Sequence, residues 1–268
     1  MRLILLAILL TSSMAWSSPD QDYILVITSQ RNAEVIAEAA RLFYKDDSER
    51  QSLQIKARSD VQFWELSASE RRKLISNSRA ILGFGLYGST VANLTPFLNK
   101  SDKPQLLINS DHRLVATSRF SGRKLFPDLA QMREMTKTLP GANFNTDLKR
   151  QYSQYKNQRP WLTARAYWAA GGSDNTAQLF SWLFNALGED IVFLPPKPIQ
   201  QLRWYFDGTI HNGLEKFHSE QAVIAVIDHA GGSRPADAKL LRGICDQASQ
   251  KYNLQCLGAL AYWGEAGV

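Results

Sequence analysis

Apolar residues along this chain fall into two rhythms: short unbroken runs, and stripes that recur at every third or fourth position. The run at 23–28 carries Ile, Leu and Val without alternation, which suits a strand buried on both faces of a parallel sheet, and 53–57, 80–84 and 104–109 read as further strands. Between them the pattern turns helical. Residues 32–44 place Val35, Ile36, Ala39, Ala40 and Phe43 on one stripe, Ser67 or Ser69 can cap a helix holding Leu74 and Ile75, and a further helix spans about 89–98. This β-α-β-α-β rhythm predicts an α/β fold of parallel sheets flanked by helices, built from Rossmann- or flavodoxin-like units.

Residues 127–139 read as a helix closed by Pro140 and Gly141, and 145–156 as a polar helix with few apolar anchors, best taken as a connector. The second half repeats one device. A run at 165–170 is expected as a strand leading into Gly171, Gly172 and Ser173, followed by a helix with Leu179, Phe180, Leu183, Phe184 and Leu187 in a stripe. A run at 222–228 leads likewise into Gly231, Gly232 and Ser233, then a helix carrying Leu240, Leu241, Ile244, Cys245, Ala248 and Tyr252. A third run, 254–262, ends in a Tyr-Trp-Gly tail that echoes Tyr167 and Trp168, where the architecture is expected to be cut off at a strand end. The expected organisation is an N-terminal α/β domain at 18–145, a connector at 146–160 and a second α/β domain at 161–268.

The N-terminus changes the picture most. Met1 and Arg2 precede an apolar run from Leu3 to Leu10 and small residues up to Ala15, the pattern of a cleavable signal peptide at 1–17. The run is shorter than the roughly 20 residues a spanning helix needs. The expectation is a periplasmic or secreted protein, with neither ATP nor nucleic acid among its partners. The formal charge of +6 falls to +5 without Arg2 and is spread along the chain, as suits a soluble protein or one with an anionic partner. In an oxidising compartment Cys245 and Cys256 can pair as a helix-to-strand disulfide or remain as two small buried side chains.

Candidate chemistry centres on loops at strand ends. Glycines there permit tight backbone geometry, and the following helix presents free N–H groups to an anion. Trp161, Tyr167, Trp168 and Trp182 gather around the first loop, where a flat ligand can stack. Of the histidines, His229 beside Asp228 at a strand end is the best placed for a metal; His211 and His218 sit in a loop-rich segment, and His112 in a turn. No Gly-x-Ser-x-Gly elbow or phosphate-binding loop occurs. Gly83, Gly85 and Gly88 form Gly-x-Gly-x-x-Gly after a strand, but without an acidic residue at the ribose position this reads as a tight turn.

Residues 164–175, Ala-Arg-Ala-Tyr-Trp-Ala-Ala-Gly-Gly-Ser-Asp-Asn, followed by Leu179 and Leu183, resemble the Ala-x-Tyr-Trp-x-x-Gly-Gly-x-x-Asn segment of CobN, the cobaltochelatase large subunit, a family related to the magnesium chelatase large subunit. The order of a proline-rich link (Pro195, Pro196, Pro198) and a later strand–helix unit at 222–252 agrees with that family. The family's His-Pro motif has no counterpart here, and its catalytic portion would follow where this chain ends. The resemblance therefore implies an exported, non-catalytic protein that handles a tetrapyrrole (corrinoid or haem) or a divalent metal, with no resident cofactor. Tyr167, Trp168, Gly171, Gly172, Ser173, Asn175, Gly231, Gly232 and Ser233 would contact the ligand and His229 the metal, with transport components of the inner or outer membrane as partners. Two other readings stand beside it: a chelatase- or dechelatase-type subunit, and a two-lobed solute-binding protein of a transporter.

Overall fold

The computed structural model describes residues 23–45, 49–109, 111–137, 144–199, 202–219, 221–229 and 235–262. The signal-like segment, the Ala-Gly-Gly-Ser loop at 230–233 and the last six residues lie outside them. Among the described residues no helix is long and apolar enough to cross a membrane.

The first half follows the predicted rhythm closely. Strand β1 (Tyr23–Thr28) leads to α1 (Ala33–Tyr44), β2 (Gln54–Ser59), α2 (Asp60–Glu65), α3 (Ala68–Ser76), β3 (Ser78–Phe84), α4 (Ser89–Lys100) and β4 (Gln105–Ile108). A short α5 (His112–Val115) and a small hairpin, β5 (Arg119–Phe120) and β6 (Arg123–Lys124), complete a six-stranded sheet. Its order is β2-β1-β3-β4-β5-β6, with the first four strands parallel and the hairpin antiparallel. Ser67 caps α3 in a capping box with Glu70, and Ser59 caps α2 in another with Gln62, so the polar residues before each helix start satisfy its first N–H groups.

Every residue of β1 is buried because both faces are covered. Ile24 and Val26 point into one cluster with Ile36, Phe43, Leu82 and Phe84, while Leu25 and Ile27 point into another with Phe63, Ile81, Val91 and Leu94. This is the continuous-run signature of a doubly covered parallel strand.

Next come α6 (Leu129–Lys137), α7 (Phe144–Gln154), α8 (Arg159–Ala170) and α9 (Gly172–Ala186). Residues 165–170, expected as a strand, are the last half of α8. The cause is burial on all sides: Trp161, Leu162, Ala164, Ala166, Tyr167, Trp168 and Ala170 are all buried, so no single stripe marks the helix. A short apolar run of that kind has the same periodicity as a buried strand. Pro160, in the first turn, is tolerated where its missing N–H has no partner anyway.

The division expected at residue 160 does not separate two cores. Trp161, Tyr167, Trp168, Leu179, Phe180, Leu183 and Phe184 pack in one cluster with Ile24, Phe43 and Phe84, so α8 and α9 cover one face of the first sheet. The polar helix α7 is likewise anchored, with Phe144 and Leu148 against Ala166 and Ala170.

A second, four-stranded sheet follows the segment around residues 191–199. It comprises β7 (Leu202–Phe206), β8 (Thr209–His211), β9 (Ala222–His229) and β10 (Gln255–Tyr262), in the order β8-β7-β10-β9, with α10 (Pro235–Tyr252) on one face. Only the β9–β10 pair is parallel; β7 and β8 pair antiparallel. Of the stripe expected on α10, Leu241 and Cys245 are buried, whereas Leu240, Ile244 and Tyr252 are exposed. Cys245 and Cys256 form a disulfide between α10 and β10, with Cα atoms 5.2 Å apart.

Candidate functional site

Strand β1 has β2 on one side and β3 on the other, and the chain covers opposite faces in reaching them, with α1 on one face and α2, α3 and α4 on the other. The carboxyl ends of β1 and β3 therefore flank the point where the winding reverses, which is where open α/β sheets leave a crevice for ligands.

The polar residues at these strand ends brace one another. Thr28 Oγ1 and the Ser29 N–H both donate to the Phe84 carbonyl (3.2 and 3.4 Å), which ties β1 to β3, and Asn32 Nδ2 donates to Ser29 Oγ at 3.1 Å. From β4, Asn109 Nδ2 holds the Leu86 carbonyl at 2.7 Å and so fixes the loop after β3. That loop turns at Gly85 and Gly88, with φ of 54° and 58°, a region that favours glycine. Gly83, by contrast, is inside β3, where a Cβ would collide with the Leu107 side chain. The Gly-x-Gly-x-x-Gly pattern is thus one packing glycine and two turn glycines.

Beside this loop lies a cavity of about 430 Å³ lined by Asp60, Val61, Trp64, Glu65, Ser89 and Thr90. Asp60 Oδ1 accepts from the Gln30 and Val61 N–H groups at 3.2 and 3.0 Å, which fixes the carboxylate between the ends of β1 and β2. The Trp64 ring carries the Arg71 guanidinium 4.4 Å from its centroid and meets Phe97 edge-on. Its Nε1 is buried without a hydrogen-bond partner among the described residues. A buried donor left unmet costs about 1–3 kcal/mol. The lining thus offers two carboxylates, two hydroxyls and an indole, a set that suits a small ligand rich in hydroxyl or amine donors. A second cavity, between Arg72, Phe97 and Lys100, lies at the amino ends of β3 and β4, away from this edge.

The second sheet meets the same edge. Glu34, in the first turn of α1, accepts from the Ala236 N–H at the start of α10 at 2.8 Å. The start of α10 therefore touches the start of α1, which follows the carboxyl end of β1.

The residues expected to hold a ligand are placed otherwise. Tyr167 and Trp168 are 1% and 6% exposed and pack in the core. The Tyr167 hydroxyl donates to the Leu194 carbonyl at 2.6 Å, and Trp168 stacks on Phe84. Asn175 is buried: its Nδ2 donates to the Gly171 and Lys197 carbonyls (both 2.7 Å), and its Oδ1 accepts from the Lys197 N–H at 2.8 Å. It is a clamp on the proline-rich link. Gly171 supplies the N-cap of α9 with φ of 77°, and Ser173 lies in the first turn of that helix. Gly172 has φ of 80° and its Cβ position faces Ile199 of the link. The physical reason is shared: once residues 159–170 are a core helix, the loop after it opens onto the link and not onto a strand edge.

Gly231, Gly232 and Ser233 lie outside the described residues, as does the His229 side chain; His229 itself ends β9, in register with Tyr262. Among the described residues no group of three His, Cys, Asp or Glu side chains is placed to hold a metal. His211 is engaged, stacked on Phe206 at 3.9 Å and bonded to Thr209. Reasoning from sequence missed Asp60, Trp64, Ser89 and Thr90, although the strand ends that position them were legible.

No family model matches this chain, and no curated protein is similar enough to match it. Among solved structures, the catalytic subunit of cobaltochelatase from Mycobacterium tuberculosis is similar to it over 90% of this chain, at 14% identity and a TM-score of 0.43. This chain spans 16% of the length of that one. The chain is an α/β protein and a distant structural neighbour of that subunit.

Proposed function

We propose that this protein is a binding protein that works outside the cytoplasm and receives a small, donor-rich solute at the carboxyl edge of β1, β2 and β3. The observation that carries the reading is the cavity beside the winding reversal, where Asp60, Trp64, Glu65, Ser89 and Thr90 converge. The Glu34–Ala236 contact supports it further, because it brings the second unit to the same edge, as a two-lobed solute-binding protein of a transporter requires. The signal-like N-terminus supports export.

The narrower reading, a corrinoid or haem ligand, rests on the resemblance at residues 164–175. Tyr167, Trp168 and Asn175 spend their surfaces on internal partners, so that resemblance bears on architecture rather than on a ligand surface. The test covers both. The purified chain is titrated with a panel of polyols and amines, and with haem, cobalamin and cobinamide, while tryptophan fluorescence and absorbance are followed. A saturable change with a polyol or amine, weakened at least tenfold in Trp64→Ala, is expected. Saturation by a tetrapyrrole alone, or a response that Trp64→Ala leaves intact, would overturn the edge-site reading.

A further inference from the structure

We propose a second, separate site: a pocket for an organic phosphate between the β5–β6 hairpin and the turn that precedes α8. A cavity of about 370 Å³ there is lined by Arg123, Lys124 and Lys156, with Phe120, Leu125 and Pro160 forming apolar wall. Its volume falls within the range of small-ligand sites, which pair apolar walls with a few polar groups. Among the described residues no carboxylate lines it. The nearest acidic residue in sequence, Asp128, is turned to the start of α6, where its Oδ1 accepts from the Ala130 N–H at 2.8 Å. Among the described residues none of the three cations forms an ion pair.

The hairpin concentrates positive charge in a way that folding alone disfavours. Its two-residue turn, Ser121 and Gly122 with φ of 48° and 73°, puts Arg119 directly opposite Lys124 and Phe120 opposite Arg123. Like charges placed directly across a strand pair are destabilising. Arg119 is drawn aside to the Ser101 carbonyl at 2.5 Å, and its Nε is buried with no hydrogen-bond partner among the described residues. Lys156 arrives from a different segment, the 3-10 turn Lys156–Gln158, which is pinned when Gln158 Nε2 donates to the Leu125 carbonyl at 2.8 Å. Three cations lining one cavity match a dianion, and the guanidinium of Arg123 can grip two phosphate oxygens while the lysines act as point charges. The apolar wall would take the ester's organic part.

The hairpin borders β4 through the Gln105–Arg119 pairing, at the start of β4, and so lies away from the carboxyl-edge cavity. The two sites can therefore be tested independently. Isothermal titration of the whole chain with phenyl phosphate, and with inorganic phosphate, is the measurement. Saturable one-to-one binding of phenyl phosphate is expected, weakened about tenfold or more in Lys124→Met/Lys156→Met, a loss of at least about 1.4 kcal/mol. Both substitutions are on exposed side chains, and circular dichroism checks that the variant is folded. Trp64→Ala should leave this binding unchanged. No saturation with phenyl phosphate, equal binding by the double variant, or equally tight binding of inorganic phosphate would each overturn the proposal.

Discussion

The Trp168 indole stacks on the Phe84 ring with centroids 4.4 Å apart and planes 19° from parallel. Phe84 closes β3 and immediately precedes Gly85, the first turn residue of the carboxyl-edge loop. A helix from the second half of the sequence therefore supports the loop of the candidate site from beneath. Trp168 bears on that loop through packing.

Trp168→Ala should lower the unfolding free energy by about 3–5 kcal/mol, the usual cost of emptying a large buried aromatic position. Trp168→Phe should cost well under that, since it keeps a ring on Phe84. Urea unfolding of both variants checks this, and a loss below about 1 kcal/mol for the alanine variant would contradict the packing described.

Asn175 makes three hydrogen bonds with two backbone segments, so removing it strands buried groups on both. Asn175→Ala should cost about 2–3 kcal/mol and release the link at 191–199. Asn175→Asp should fare no better, because it keeps the acceptor for the Lys197 N–H but loses both donors. Limited proteolysis is the direct readout: cleavage within the link should be faster in both variants than in the parent.

Burial, with a smaller contribution from neighbouring Tyr152, pushes the Tyr167 phenol above its ordinary value of 10.0. The folded state thus holds this proton more tightly than the unfolded chain does. The resulting stability is fully present below about pH 10, the unfolded value, and is lost as pH rises further through the raised one. Tyr44 and Tyr152 are raised by burial in the same direction. Stability should therefore fall steeply above about pH 10. Tyr167→Phe should flatten that slope while costing roughly 1 kcal/mol at neutral pH for the lost bond to Leu194. An identical alkaline slope in the variant would count against it.

Reduction of the Cys245–Cys256 bridge should destabilise the second unit by about 3 kcal/mol, the chain-entropy value for so short a loop. Thermal unfolding with and without dithiothreitol measures it. Cys245→Ala/Cys256→Ala should match the reduced protein and be insensitive to the reagent.

What the sequence determined by itself was the four parallel strands of the first sheet, without the hairpin at 119–124. Residues 23–28 and 80–84 are apolar without interruption because both faces of β1 and β3 are covered, a burial pattern that leaves its mark in the composition of the strand itself. The helix start at Ser67 or Ser69 was legible too, and the structure gives the cap to Ser67, whose capping box with Glu70 spans only three residues. Tertiary packing decided the rest. A segment buried all round, as α8 is, carries no stripe to tell helix from strand, so the fate of Tyr167 and Trp168 depended on the sheet that α8 meets. Nor does anything local in Asp60, Trp64, Ser89 and Thr90 mark them as neighbours. They come together only because β2 and β3 lie on opposite sides of β1, a relation set by strand order and not by the residues' own spacing.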